Sequence, residues 1–297
     1  MKAWIEAARP RTLPLALSCI LMGCFLAYSD GEFNGWIAGL SILTTILLQV
    51  LSNFANDYGD AVSGKDSDLR EGPRRAVHGG QITARAMQRA IILFSALSLI
   101  AGIALLYVAL QNASTEVFWV FLGIGLACIA AAITYTAGKR PYGYVGLGDL
   151  SVLIFFGWVG VLGTYYLHTL SWNWDLLLPA TSCGLFAVAV LNINNIRDIE
   201  SDRATGKNSI PVRLGRERAV KYHWLILLTG MACVTVYTFT EYSHYSQWLY
   251  VLSFPLFIWN GLAVSRLKKA AQLDPYLKQM ALSTLLFVVL FGAGLLL

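Results

Sequence analysis

Apolar residues fall into nine runs, near 12–29, 36–56, 87–110, 117–137, 145–168, 176–196, 221–240, 247–265 and 279–297, separated by polar connections. Each run is about the 17–25 residues an α-helix needs to cross hydrocarbon. In lipid only helices and closed barrels satisfy every backbone N–H and C=O, and the short alternating segments of a barrel are missing. The pattern predicts an all-α polytopic membrane protein, one transmembrane domain over residues 1–297. Arg9 and Arg11 precede the first run as in a signal peptide, but no polar mature domain follows, so that run is read as an anchor.

Composition agrees: 57% of the 297 residues are hydrophobic and 13% are charged, against about 45–50% and 25% in soluble chains. The net charge of +5 acquires meaning from its placement. When the connections are numbered alternately, all 22 Lys and Arg residues fall on the side of the N-terminus. By the positive-inside rule the N-terminus and the basic loops are cytoplasmic and the C-terminus is outside. Such loops argue for a cell inner (cytoplasmic) membrane and lipid contact, not for nucleic acid. Five scattered cysteines without CxxC spacing read as reduced packing residues, and four dispersed histidines argue against a zinc site.

The two long connections, 57–86 and 197–220, lie on the cytoplasmic side and carry the candidate chemistry. Asn53, Asn56, Asp60, Gly64, Lys65 and Ser67 echo Asn195, Asp198, Asp202, Gly206, Lys207 and Ser209 at a constant offset of 142. Two four-span units, roughly 12–140 and 145–265, plus a ninth helix would account for the echo. In the first block Asn53, Asn56, Asp57 and Asp60 are three or four apart and stack on one helical face. Gly64 is expected to end that helix and let Asp66 swing back. In the second, Asn194, Asp198 and Asp202 share a face. Carboxylates converging at a membrane boundary repel unless protons or cations relieve them. Oxygen ligands without Cys or His select Mg²⁺ or Ca²⁺, with Mg²⁺ favoured because it leaves positions for phosphate. Lys65, Arg74, Arg75, Lys139, Arg140, Lys207 and Arg213 lie on the same side, so acids for metal and bases for phosphate suggest a diphosphate substrate. A diphosphate site opening into a bilayer suggests a lipid diphosphate. The carbocation left by its departure would be stabilised by aromatic faces, for which Phe54, Tyr58, Tyr135, Tyr142, Phe155, Phe156 and Trp158 are candidates.

The blocks "NDYGD…GKD" and "NNIRDIESD", joined by "YTAGKRPYGYVGLGD" at 135–149, resemble the UbiA superfamily of intramembrane prenyltransferases over most of the chain. "ARPRTLPLAL", "EGPRRAVHGGQIT" and "IPVRLG" are most similar to its branch acting on 1,4-dihydroxy-2-naphthoate in menaquinone synthesis. The resemblance implies nine helices around a central cavity open to lipid, a cytoplasmic cap, and Mg²⁺ between diphosphate and two aspartate motifs. By position, Asn56, Asp60 and Asp66 match the first motif, and Asn194, Asp198 and Asp202 the second. Gly64 stands where many members carry an acid, which leaves Asp66 to take that metal role. Lys139 and Arg140 match a basic connection that positions diphosphate or acceptor, and Asp149 a recurrent acid.

The expected site is therefore Asp60, Asp66, Asp198 and Asp202 as metal ligands, catalytic together with Lys139 and Arg140. Asn53, Asn56, Asp57, Lys65, Arg75, Tyr135, Asp149, Asn194 and Lys207 would bind substrate. The expected reaction is Mg²⁺-dependent prenylation of a small aromatic acid by a polyprenyl diphosphate, with decarboxylation to demethylmenaquinone. Its rivals are the same transfer to 4-hydroxybenzoate or homogentisate, a lipid phosphotransferase whose "DGxxAR" wording is missing, and a cation-coupled transporter, which would place its acids near the bilayer midplane.

Overall fold

The computed structural model describes residues 1–65 and 75–297, so Asp66 and Arg74 lie outside the described residues. Among those described, nine helices are long and apolar enough to cross a membrane: α1 Lys2–Ser29, α2 Gly35–Val62, α3 Ala84–Ala109, α4 Thr115–Thr134, α5 Gly148–Thr169, α6 Trp174–Arg197, α7 Arg216–Thr240, α8 Tyr245–Arg266 and α9 Ala270–Leu296. The protein is a multi-pass membrane protein, and no strand occurs among the described residues. The predicted runs match these helices in number and order, but most helices extend beyond the apolar run into polar sequence. α2 in particular continues through the first acidic block to Val62.

Of the hydrophobic clusters among the described residues, the two largest tie most of the helices together. The larger joins α1 and α5–α9 around Phe186, Phe257 and Phe287. Phe186 stacks on Phe257 with centroids 4.1 Å apart and meets Phe287 edge-on at 5.1 Å. Gly230 of α7 lies against the Phe186 ring, where a Cβ would come within 2.7 Å of it. The smaller cluster packs the start of α1 against α2 and α3 through Leu51, Phe54 and Met87. A buried polar chain also crosses the bundle: Asn192 of α6 meets His223 Nδ1 of α7 at 3.3 Å, and His223 Nε2 meets Asn260 Oδ1 of α8 at 3.0 Å. Asn260 Nδ2 in turn donates to Tyr276 O of α9. Such bonds tie helices together in an interior that offers no water.

α4 is the exception, with no buried residue along its length. α1 breaks at Arg9, whose φ of 51° is left-handed, and Asn53 Nδ2 donates to the Ala8 carbonyl beside the break at 2.9 Å and to Thr12 Oγ1 at 3.2 Å. Asn53, expected at the substrate, thus caps a broken helix and also lines the chamber described below.

Candidate active site

A cavity of about 1100 Å³ runs through the bundle. At one end its wall carries Asn56, Asp60, Arg75, Asn194, Asp198, Asp202 and Lys207; at the other it reaches Glu116 and Trp172. Between these ends it is lined mainly by apolar side chains of α1–α5. The two acidic blocks, far apart in sequence, therefore share one chamber.

The first block rides on α2. Gly59 lets the helix approach the end of α4, since a Cβ there would lie 2.5 Å from Thr136 O. At this contact Thr136 Oγ1 lies 3.0 Å from both Ala55 O and Asn56 Oδ1. One turn on, Asp60 is 1% exposed. Its Oδ1 accepts from Tyr144 at 2.6 Å and from Lys207 Nζ at 2.9 Å, and its Oδ2 pairs with Arg75. Asp57 explains the position of Arg75. The Ala76 and Val77 N–H groups donate to Asp57 Oδ2 and Oδ1, both at 3.0 Å, which pins the returning connection beside Asp60. Expected to bind substrate, Asp57 instead anchors backbone.

The second block begins where α6 ends. Arg197 closes the helix, and the chain turns at Asp198 into a short helix, Ile199–Ala204. The Arg197 side chain is 1% exposed. Its Nε and Nη2 each donate to an Asp198 oxygen at 2.8 Å, Nη2 also reaches Asn194 Oδ1 at 2.8 Å, and Nη1 pairs with Asp274 Oδ1 of α9 at 2.7 Å. Arg11 approaches the other Asp274 oxygen at 3.4 Å.

The two blocks close alike. Lys65 N–H donates to Asp60 O at 2.9 Å and Lys207 N–H to Asp202 O at 2.8 Å, with Gly64 and Gly206 at φ 63° and 72°. This is the left-handed helix end that glycine permits. The lysines then cross over. Lys65 Nζ donates to Thr205 O in the second block, while Lys207 reaches Asp60 in the first. A third segment completes the cap: Asn208 N–H donates to Tyr144 O at 2.8 Å and Arg213 to Val145 O at 2.6 Å.

Tyr144 is a site residue that sequence reasoning missed, and so is Arg197. Burial first, and then the Asp60 charge, push the Tyr144 phenol well above its ordinary range, so it stays a donor. Of the other expected residues, Tyr135 lines the chamber, and burial likewise raises its phenol. Tyr142, Phe155, Phe156 and Trp158 also line it. Phe54 does not: it packs in the core, 5.6 Å from Trp4 and 5.2 Å from Phe94. Tyr58 rests against that same cluster. Both lie off the α2 face that carries Asn56 and Asp60. Asp149 is buried outside the lining, accepting from Tyr222 at 2.9 Å. Lys139 and Arg140 are exposed and absent from the wall.

For a metal, the charged end of the wall offers the side-chain oxygens of Asn56, Asp60, Asn194, Asp198 and Asp202, which suit a hard divalent ion. Among the described residues no three His, Cys, Asp or Glu side chains gather tightly enough to share one. The carboxylates instead hold the chain's own cations.

Comparison with known proteins identifies the family to which this chamber belongs. Residues 16–295 match the model of the UbiA prenyltransferase family. The chain belongs to this family. It is an aromatic prenyltransferase. A protein of Haemophilus influenzae named 1,4-dihydroxy-2-naphthoate octaprenyltransferase is 46% identical over 100% of this chain and 96% of its own. Its Escherichia coli namesake is 45% identical over 99% and 95%. Among solved structures, the apo UbiA homolog of Aeropyrum pernix superposes with a TM-score of 0.67 at 19% identity, covering 98% of this chain and 97% of that one. The UbiA homolog of Archaeoglobus fulgidus bound to GPP and Mg²⁺ superposes with a TM-score of 0.63 at 16% identity, over 99% and 100%. These likenesses establish the shared fold.

Proposed function

We propose that this prenyltransferase moves a polyprenyl group from an allylic diphosphate to 1,4-dihydroxy-2-naphthoate with loss of the ring carboxylate, giving demethylmenaquinol, the reduced form of demethylmenaquinone, in a Mg²⁺-dependent reaction. The observation that carries the reading is the single chamber of about 1100 Å³ in which both acidic blocks face a long apolar lining. A lipid diphosphate has the same division into charged head and apolar tail. The names of the full-length relatives support the acceptor.

Lys207 and Arg75 are placed to take diphosphate oxygens, and Lys65 holds the cap segments together over them. Heterolysis of the allylic C–O bond sends its electron pair out with pyrophosphate. The allylic cation meets aromatic faces of Tyr135, Tyr142 and Phe155 in a chamber whose apolar walls keep water from capturing it. The electron-rich ring forms the new C–C bond, and departure of CO₂ leaves its bonding pair to restore aromaticity. When bound, Mg²⁺ would supply positive charge to the leaving diphosphate; Asp60, Asp198 and Asp202, with Asp66 as a further expected ligand, would hold it directly or through water. Lys139 and Arg140 are proposed to contact substrate only at the cap exterior.

The charge pattern supports an inner-membrane protein with the acidic blocks and N-terminus cytoplasmic and the C-terminus outside. C-terminal reporter fusions test that orientation. The reaction is tested by supplying purified protein with one allylic diphosphate and, separately, 1,4-dihydroxy-2-naphthoate, 4-hydroxybenzoate and homogentisate. Mass spectrometry should find a decarboxylated prenyl-naphthalenediol, lost on chelation and restored by Mg²⁺. Equal yield from 4-hydroxybenzoate would overturn the acceptor, and turnover in chelator would overturn the metal.

A further inference from the structure

The Lys207 ammonium occupies a telling position. Nζ lies 2.9 Å from Asp60 Oδ1 and 4.0 Å from Asp202 Oδ1, between carboxylates of the first and second blocks, and 5.2 Å above the Tyr144 ring. With Arg75 on the second Asp60 oxygen and Arg197 on both oxygens of Asp198, the central acids of both blocks are already neutralised. We infer that Lys207 is a placeholder cation: it holds the divalent ion's position in the substrate-free site and passes to the diphosphate when that arrives, so metal and diphosphate bind cooperatively.

The argument is one of charge exchange. A bare divalent ion approaching Asp60 must displace an ammonium whose side chain is 13% exposed beside a carboxylate that is 1% exposed. Expelled alone, that ammonium is stranded in a poorly hydrated cleft, which is costly. A diphosphate supplies what it has lost, an anionic oxygen partner within the same chamber. The flexible four-carbon stem of lysine suits such a transfer. Lys65, the counterpart of Lys207 in the first block, is engaged elsewhere: its Nζ bonds Thr205 O and stands beside Gly206. The cap thus stays tied while Lys207 moves. Linkage makes the effect reciprocal, the metal raising diphosphate affinity by the same factor.

This inference rests on the proposed reading of the site as a prenyl diphosphate site. The test uses the full chain in detergent micelles, Mn²⁺ as the metal probe and geranyl S-thiolodiphosphate as a slowly cleaved diphosphate. Free Mn²⁺ is followed by its electron paramagnetic resonance signal, and analogue binding by equilibrium dialysis. The expected result is Mn²⁺ bound at least about tenfold more tightly in the presence of the analogue. Lys207→Met should bind Mn²⁺ more tightly than wild type without analogue and show a smaller gain with it. A merely structural lysine would instead weaken both affinities. Equal Mn²⁺ affinity with and without bound analogue in wild type overturns the inference, whatever the variant does, and leaves the proposed function standing. Failure of the analogue to bind at all overturns the proposed function and the inference with it. Unchanged Mn²⁺ affinity in a folded Lys207→Met removes Lys207 from the role.

Discussion

Asp60 and Asp198 face one chamber, but they are held by opposite means. Asp60 lies within an unbroken helix and is gripped by residues distant in sequence: Arg75 from the returning connection, Tyr144 from the α4–α5 connection and Lys207 from the other block. Asp198 lies where the helix ends and is gripped by its own neighbour, Arg197, which also binds Asp274 at the start of α9. The first carboxylate thus reports whether three cap segments are assembled. The second reports whether α6 and α9 are docked. Perturbing either carboxylate should stop the reaction, whereas perturbing their partners should separate assembly of the cap from stability of the bundle.

The largest effect is expected from the carboxylates themselves. Asp60→Ala and Asp198→Ala should each lower kcat by about a hundredfold or more, with the variants still inserted in membranes; a steady-state assay on membranes of matched protein content checks this. Next comes Arg197→Met, which takes the guanidinium from the buried Asp198 and one of two cationic partners from the partly exposed Asp274. Its expected cost is about 3–5 kcal/mol of stability, read as a large fall in the thermal midpoint of the purified protein, where Lys207→Met should produce a much smaller one. Tyr144→Phe removes one hydrogen bond to a charged oxygen, worth about 1.5–3 kcal/mol. Because that bond secures the cap and not the bundle, the loss should appear in KM for the allylic diphosphate, with the melting curve close to wild type. Smallest is the effect of Lys139→Ala and Arg140→Ala. Both side chains are exposed, so stability should stay within about 0.5 kcal/mol, and a kcat collapse in either would restore them to the chemistry.

The helices and the two blocks were legible because period and hydropathy are local properties. The nine runs appear as nine helices among the described residues, and Gly64 ends α2 as its position suggests. What escaped is the set of contacts made at helix ends and across the cap. Adjacent residues on a helix do not face each other, so Arg197 reads as a loop charge beside Asp198; only the end of α6 between them brings the two side chains together. Tyr144 reads as one tyrosine among several in a glycine-rich connection, and its partner Asp60 is far away in sequence. Asp57 lies on the face that suggested substrate contact, but a returning loop presents backbone groups that engage it first; Asn53 on the same face both binds the break at Arg9 and lines the chamber.

The helix Thr115–Thr134 buries no residue, although its Phe121, Ile124, Cys128 and Ala132 line the chamber. The partition there is a single helix thick, and in the proposed reaction it would have acyl chains on one side and the isoprenoid on the other. A quinol made by the proposed reaction would need no passage through water to reach the pool it joins. Widening or narrowing this partition should alter tail preference in a manner that depends on the thickness of the host bilayer.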